Sequence, residues 1–343
     1  MRIRKRDVEQ ALERIRERIY RKVGIRYGRP VISRVLVDED SRTLFIFVPD
    51  RPDKSALLGP GAWAVAELKK WFDIPNIGVR ALTDVVVKRW RIRMTLECVK
   101  RARVSQRLKD VLEKHIVPLL ERELKHYPLR PNLEVEEEGV PSIVVGLSGG
   151  ADSTAALILA REAGLNPIAV TVAPAPYIVP RRVEDRARQI AERLGVEHVV
   201  LRDVPGFEEV ARRAVQGRLH PCGKCRRLIT ERVLAFAQER GIPLVSFGDL
   251  LPTGYHALQR IGEVWVLNLC AALALTKSET VLIARTVYEF RGRGFTYGCP
   301  FLRYLHKRYP AYRWASVQRV LRELRAGILE PGQALSYIKS IFS

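Results

Sequence analysis

Residues 142–153 read Ser-Ile-Val-Val-Gly-Leu-Ser-Gly-Gly-Ala-Asp-Ser, and the rest of the chain is interpreted around this stretch. Its apolar run predicts a strand, the Gly149-Gly150 pair predicts a tight loop, and residues 154–161 predict a helix. Such a loop offers backbone N–H groups and the positive end of a helix dipole, and paired glycines leave no Cβ in the way of an anion. The stretch therefore predicts a binding site for a phosphate group.

Strands and helices alternate from residue 142 onward. This pattern predicts the α/β class, with a parallel, doubly wound sheet that has helices on both faces. Ligands of such sheets bind beyond the carboxyl ends of the strands, where the Gly-Gly loop is expected. The predicted strands are 168–172, 198–201, 244–247 and 264–267, and the predicted helices are 183–194, 207–215, 226–240 and 277–285.

Residues 148–153, SGGADS, resemble the SGGxDS pyrophosphate loop of the PP-loop ATP pyrophosphatases. Members of that family have an adenine nucleotide alpha-hydrolase-like fold, join AMP to a substrate oxygen and release pyrophosphate. The resemblance implies ATP and Mg²⁺ as cofactors, with Asp152 as a catalytic residue. The residues that it assigns to ATP are Ser148, Gly149, Gly150, Asp152, Ser153, Thr171 and Lys277.

Residues 1–100 predict a smaller α+β domain. Its expected order is helix 7–23, a hairpin of residues 31–37 and 43–48, a glycine turn, helix 63–72, and β-prone segments at 79–87 and 92–96. This order resembles a type II KH domain, a module that clamps nucleic-acid backbone at a GxxG turn. The resemblance implies RNA contacts at Gly59 and Gly61, although Ala62 stands where the motif has its second glycine. The alternative is an accessory domain in which these glycines only form a turn and bind no RNA.

The remaining boundaries follow from composition. Residues 101–141 are expected to form a helical connector that ends in the polar, Pro-containing stretch 128–141. Residues 142–343 are expected to form the catalytic domain with C-terminal helices.

The charge balance points to a polyanionic partner. The chain has 59 Lys and Arg against 38 Asp and Glu, a formal net charge of +21. Basic side chains that neutralise phosphates supply most non-specific affinity for nucleic acids. No apolar run is long enough for a membrane span and the basic N-terminus lacks the apolar segment of a signal peptide, so we expect a cytoplasmic protein.

The five cysteines then indicate metal or redox chemistry rather than disulfides. Cys222 and Cys225 form a CxxC, and Cys299 follows a glycine in a second predicted turn. The residues alone leave open a cluster, a persulfide or disulfide relay, and a Zn²⁺ site with His220 as a further ligand. Cys98, in a β-prone stretch, and Cys270, at the end of an apolar strand, are expected to be core residues.

One CxxC with one distant cysteine resembles the pattern of iron–sulfur-dependent tRNA thiolation enzymes of the PP-loop family, the 2-thiouridine and some 4-thiouridine synthetases. The resemblance implies a [4Fe–4S] cluster on Cys222, Cys225 and Cys299, with the first two also catalytic. The segment around Asp249 resembles the nucleotide site of the 4-thiouridine synthetases, which implies that Asp249 holds Mg²⁺ or the target base and that Lys277 reaches a phosphate. The N-terminal domain differs from the THUMP module of those enzymes.

The function expected from these resemblances is that of an ATP-dependent tRNA sulfurtransferase. It would adenylate a carbonyl oxygen of a tRNA base and replace that oxygen with sulfur. The partners expected are tRNA, a sulfur donor (sulfide or a persulfide carrier) and a second copy of the chain. Two alternatives remain at this point: an amine or ammonia ligase with a structural metal site, and an RNA-binding protein with a degenerate nucleotide pocket.

Overall fold

The computed structural model describes residues 3–24, 28–133, 140–290 and 296–343. It divides into two compact units, which we call the N-terminal unit (residues 1–90 with 126–130) and the C-terminal unit (residues 91–125 with 131–343). Residues 134–139 of the predicted connector lie outside the described residues. Among the described residues, no helix combines the length and the apolar character that crossing a membrane requires.

The N-terminal unit contains a three-stranded sheet in the order β1-β2-β3. β1 and β2 pair antiparallel, which confirms the predicted hairpin, and β2 and β3 pair parallel. All six residues of β2 are buried because both faces of the sheet are covered, as expected for a continuous apolar run. The elements of this unit are α1 (Lys5–Val23), β1 (Arg34–Asp38), β2 (Thr43–Val48), α2 (Arg51–Leu58), α3 (Trp63–Phe72), β3 (Asn76–Ala81) and the first half of α4 (Leu82–Arg101).

The glycine turn of this unit connects α2 to α3. Gly59 has φ +67° and Gly61 has φ +60°, a region that favours glycine. Ala62 also has φ +60° and is the N-cap of α3, with no side-chain oxygen to accept from the first-turn amides. A parallel strand pair joined by two helices and this turn is therefore the local framework of the predicted RNA site.

The predicted strands at 79–87 and 92–96 are wrong beyond Ala81. α4 begins at Leu82 and continues to Arg101, so that Cys98 lies on a helix. The Val85-Val86-Val87 run has high β propensity, but Val85 and Ile92 are buried while Val86 and Val87 face solvent. Tertiary packing of one helix face overrides local propensity here.

The C-terminal unit contains a six-stranded sheet in the order β6-β5-β4-β7-β9-β8, flanked by helices. The pairs from β6 to β9 are parallel, which confirms the predicted α/β class, and β8 pairs antiparallel with β9 at one edge. Hydrophobic clusters cover both faces of the sheet. The strands are β4 (Ser142–Gly146), β5 (Asn166–Val172), β6 (His198–Leu201), β7 (Leu244–Ser246), β8 (Leu258–Ile261) and β9 (Val264–Leu267).

Two of the predicted cysteine environments differ in the structure. Cys270 lies in a short helix rather than at a strand end, and the CxxC begins a helix rather than preceding one. The helices are α5 (Gln106–Val111), a π-helical turn (Leu112–Ile116), α6 (Val117–His126), α7 (Ala151–Glu162), α8 (Arg181–Leu194), α9 (Phe207–Val215), α10 (Cys222–Glu239), α11 (Leu269–Ala272), α12 (Lys277–Arg285), α13 (Pro300–Arg308), α14 (Tyr312–Arg325) and α15 (Pro331–Phe342).

Candidate active site

A cavity of about 920 Å³ is lined on one side by residues that follow two central strands of the sheet. Asp152 follows β4, and Gly248 and Asp249 follow β7. Carboxyl ends of neighbouring parallel strands meet at one edge of a sheet, so residues distant in sequence come together here. The other lining residues with polar or charged side chains used below are Arg226, Lys277, Arg319, Arg322, Glu323 and Tyr337.

The phosphate loop, residues 147–150, connects β4 to α7 and is fixed by hydrogen bonds. Gly149 has φ +67°. The Ser153 hydroxyl accepts from the Ser148 amide at 3.1 Å and donates to the Gly150 carbonyl at 3.0 Å. Gly150 is the N-cap of α7 and has no side chain to accept from the first-turn amides, so an anion can take that role.

Both carboxylate oxygens of Asp152 have partners on α12. The Lys277 Nζ lies 2.7 Å from Asp152 Oδ2, and the Thr280 hydroxyl donates to Oδ1 at 2.6 Å. Burial alone would lower the pKa of the Lys277 ammonium, but Asp152 and the neighbouring Tyr337 outweigh burial and the pKa is raised. The ammonium therefore stays charged at the edge of the cavity, where phosphate oxygens would attract it.

The C-terminal helices add two groups that the sequence analysis did not select. Burial raises the pKa of Glu323 on α14; Lys277 opposes this rise and Asp152 adds to it. Burial likewise raises the pKa of Tyr337 on α15, against the effect of Lys277. Glu323 is the one acidic residue of α14, and a lone carboxylate on a basic helix is the signal that could have identified it.

Asp249 also lines the cavity, and its carboxylate is paired with Arg226. The Arg226 guanidinium donates to its carboxylate and lies over the Phe247 ring, 5.2 Å from the ring centroid. Both side chains are partly exposed, so the pair fixes orientation more than it stabilises the fold.

At Gly248 the loop after β7 packs closely against the first turn of α7, which follows the phosphate loop. A Cβ on Gly248 would lie 2.5 Å from the Ser153 backbone nitrogen and 2.7 Å from the Asp152 carbonyl carbon. These are backbone atoms of the first turn of α7, which cannot move aside as a flexible side chain can. The close packing between the loop after β7 and the first turn of α7 therefore requires glycine at position 248.

Gly248→Ala is expected to lower ATP turnover by about 100-fold, because it displaces the phosphate loop. Overpacking should also reduce the free energy of unfolding by about 1–3 kcal/mol. Pyrophosphate release and urea unfolding measure the two effects. Gly223→Ala is the matched control for stability, since Gly223 also lines the cavity and a Cβ there meets nothing within 4 Å. Wild-type turnover in Gly248→Ala would contradict the tight approach.

Two of the three candidate cysteines, Cys225 and Cys299, pack against the same hydrophobic cluster of the C-terminal unit. Cys222 begins α10, and Cys299 is the N-cap of α13, where its sulfur accepts from the Leu302 amide at 3.5 Å. Burial raises the pKa of Cys225 to about 12, and both Cys299 and Cys222 add to this rise. The CxxC segment and the Cys299 segment therefore lie on the same face of the sheet.

The segments that bear these cysteines border the cavity. Gly223, next to Cys222, and Gly298, next to Cys299, both line it. Burial raises the pKa of Cys222, and the Arg319 guanidinium opposes this rise. His220 is also partly buried, and its Nε2 atom has no hydrogen-bond partner within the described part of the chain. That same part contains no preformed group of three or more His, Cys, Asp or Glu side chains that could hold a metal ion.

Thr171 differs from the other predicted ATP ligands in its surroundings. Its side chain is 2% exposed, its hydroxyl donates to the Leu147 carbonyl at 2.7 Å, and it lies 2.8 Å from the His198 Nε2. The Thr171 hydroxyl thus fixes the start of the phosphate loop through its hydrogen bond to Leu147.

Comparisons with known proteins include a relative that spans three quarters of the chain. It is the Uncharacterized protein MJ1638 of Methanocaldococcus jannaschii, 30% identical over 260 residues, which are 75% of this chain and 94% of the relative. A sequence model of the NAD synthase family matches residues 130–216.

A second relative matches a shorter part of the chain. The tRNA-specific 2-thiouridylase MnmA 3 of Phocaeicola vulgatus is 35% identical over 121 residues, 31% of this chain and 32% of that enzyme, so the chain spans about a third of it. Among solved structures, the U34-tRNA thiolase NcsA from Methanococcus maripaludis with its [4Fe-4S] cluster is similar at 17% identity. The likeness covers 65% of this chain and 80% of that one with a TM-score of 0.37, too distant for a functional argument.

Proposed function

Because the chain belongs to the PP-loop ATP pyrophosphatases, in one family with MJ1638 of Methanocaldococcus jannaschii, we propose that it is an ATP-dependent tRNA sulfurtransferase. It adenylates a carbonyl oxygen of a tRNA base and replaces that oxygen with sulfur. The observation that carries the proposal is that Asp152, in the first turn of the helix after the phosphate loop, lines one cavity together with Gly223 and Gly298 of the two cysteine segments. ATP and a sulfur source can therefore reach the same base.

In the first step the base oxygen attacks the α-phosphorus of ATP. An O–P bond forms, the bond between the α-phosphorus and its bridging oxygen breaks, and pyrophosphate leaves. The Ser148–Ser153 loop binds the departing phosphates through backbone amides, and the Lys277 ammonium stabilises the charge that develops on them. Asp249 supplies the kind of oxygen ligand that Mg²⁺ prefers and would hold this ion, which neutralises pyrophosphate charge when bound.

In the second step sulfide attacks the activated carbon of the base. A C–S bond forms, the C–O bond breaks, and AMP leaves with the oxygen. Cys222, Cys225 and Cys299 offer three sulfur donors in a partly buried place, which fits a thiolate-held cluster. A [4Fe–4S] cluster on these residues would supply an iron that binds sulfide; Zn²⁺ with His220 is the alternative occupant.

The N-terminal unit is proposed to bind the RNA. Its parallel strand pair, two helices and glycine turn have the order of a KH-like module. Nothing lies within 4 Å of a Cβ on Gly61, so a phosphate group could approach the turn closely.

Gly61→Asp is expected to weaken RNA binding about fivefold relative to Gly61→Asn, because about 1 kcal/mol of repulsion acts between charges 4 Å apart in water. The two side chains have the same shape, and Asp and Asn both tolerate a positive φ, so the pair isolates charge. Affinity for tRNA, measured by fluorescence anisotropy, provides the comparison. Equal affinities would argue against a phosphate contact at this turn.

The match to the NAD synthase family favours a second candidate, in which ammonia rather than sulfide attacks the adenylate. That enzyme would share the ATP step, and its cysteines would hold a structural metal.

The test of the proposed function is an anaerobic reaction with tRNA, ATP, Mg²⁺ and sulfide. We expect AMP and pyrophosphate in equal amounts and a thionucleoside in digested tRNA by mass spectrometry. The same mixture with ammonium in place of sulfide should yield no modified nucleoside. AMP formation that follows ammonium and not sulfide would replace the sulfurtransferase with the ligase.

A further inference from the structure

The C-terminal helices form a basic surface that the ATP chemistry does not use. Residues 300–343 contain eight Lys and Arg and two Glu. Lys307, Arg308 and Arg325 are exposed on α13 and α14. Such a surface attracts a polyanion and repels a second copy of itself.

Two aromatic side chains of these helices are exposed to solvent. Trp314 is 64% exposed and Phe342 is 45% exposed. Their ring centroids lie 5.9 Å apart with the planes at 70°, an edge-to-face contact between the start of α14 and the end of α15. The Arg313 guanidinium lies 5.6 Å from the centroid of the Phe342 ring. We call Arg313, Trp314 and Phe342 the aromatic platform.

The platform is held in place although it faces solvent. Each ring limits the rotation of the other, and Arg313 fixes Phe342 further. A rigid aromatic face costs little conformational entropy when a planar ligand stacks on it. Bases of single-stranded RNA are such ligands, and their phosphates are attracted by Arg313 and by the other basic residues of the C-terminal helices.

Arg313 and Trp314 of the platform lie on α14, which also supplies part of the cavity lining. Arg319 and Arg322 of α14 line the cavity, and Arg322 is eight positions after Trp314, about 12 Å along a helix axis. An RNA strand with one base in the cavity can therefore place a nearby unpaired base at the platform.

We infer that the aromatic platform stacks an unpaired base of the RNA, close to the base that enters the cavity. The inference rests on the proposed function, since it takes RNA as the substrate. It adds that the substrate is an unpaired region, such as a loop, and not a continuous duplex.

The test is binding of two RNA hairpins that share a stem, one with a long single-stranded loop and one with a minimal loop. Trp314→Ala should lower affinity for the long-loop hairpin by about fivefold to a hundredfold, the range for losing one base stack. Trp314→Phe should restore most of the affinity. Leu335→Ala is the matched control, because Leu335 on α15 is 53% exposed and apolar but not aromatic.

Equal affinity of wild type and Trp314→Ala for the long-loop hairpin would overturn the inference, as would an equal loss for both hairpins. A change of oligomeric state in Trp314→Ala, measured by light scattering, would assign the platform to contacts between copies instead. The binding assay contains neither ATP nor sulfide, so a failure of thiolation leaves its result intact and the two proposals fail separately.

Discussion

Lys277→Met is expected to lower ATP turnover by about 100-fold to 1000-fold, the range for removing one preorganised group that stabilises developing charge. The Lys277 ammonium is 2.7 Å from the Asp152 carboxylate, and only 12% of its side chain is exposed. Its position is therefore fixed before ATP binds, and no reorganisation is needed as pyrophosphate leaves. Pyrophosphate release under saturating ATP measures the loss, and tRNA affinity should remain near that of the wild type.

A double variant distinguishes the effect of Lys277 on catalysis from its effect on the stability of the fold. Lys277→Met leaves the Asp152 carboxylate without its cation, which should reduce the free energy of unfolding by about 1–3 kcal/mol, less than for a fully buried pair because 29% of Asp152 is exposed. Asp152→Asn combined with Lys277→Met removes both charges, so stability should return toward the wild type while turnover stays low. Recovery of turnover in the double variant would show that the pair has a structural role only.

The phosphate loop could be predicted from the sequence because its determinants are local. The apolar run of β4, the two glycines and the start of α7 are consecutive, and each residue type has a backbone reason to be there. The alternation of strands and helices likewise predicts the parallel sheet. The antiparallel edge strand β8 was not predicted, because Leu258–Ile261 has three exposed residues and no apolar alternation.

The errors and omissions have tertiary causes. Residues 82–96 favour strands locally, yet they form a helix because Val85 and Ile92 on one face become buried. Glu323 and Tyr337 enter the cavity lining only when the C-terminal helices fold against α12, where the Gln333 amide donates to the Ser278 hydroxyl at 3.1 Å. No local pattern in a single sequence records a contact across that distance in the chain.

The three-cysteine site could be predicted only in part. The CxxC indicates two neighbouring thiols, whereas Cys299 lies in a segment far along the chain. Cys225 and Cys299 pack against the same hydrophobic cluster of the sheet, and this is the structural observation that links the two segments.

Replacing any one of Cys222, Cys225 and Cys299 with Ala is expected to remove most of the bound iron and the thiolation activity together. Burial raises the pKa of Cys222 and of Cys225, so a bound cation is needed to compensate the charge of their thiolates, and the proposed cluster would use Cys299 as its third ligand. Iron and acid-labile sulfide, measured after anaerobic purification, should fall in parallel with thionucleoside formation.

Cys98→Ala is the control for this cysteine set. Cys98 is also partly buried, but it lies on α4, where its sulfur contacts the Tyr255 carbonyl at 3.6 Å. It has no role in the proposed chemistry. The Cys98→Ala variant should keep its full iron content and lose only packing energy, about 1 kcal/mol for a small buried group.

Because Cys225 and Cys299 pack against the hydrophobic cluster on one face of the sheet, urea unfolding must accompany each metal analysis. Full iron content in a folded Cys299→Ala would refute the three-cysteine cluster, and one Zn²⁺ per chain in place of iron would assign the CxxC to a structural site.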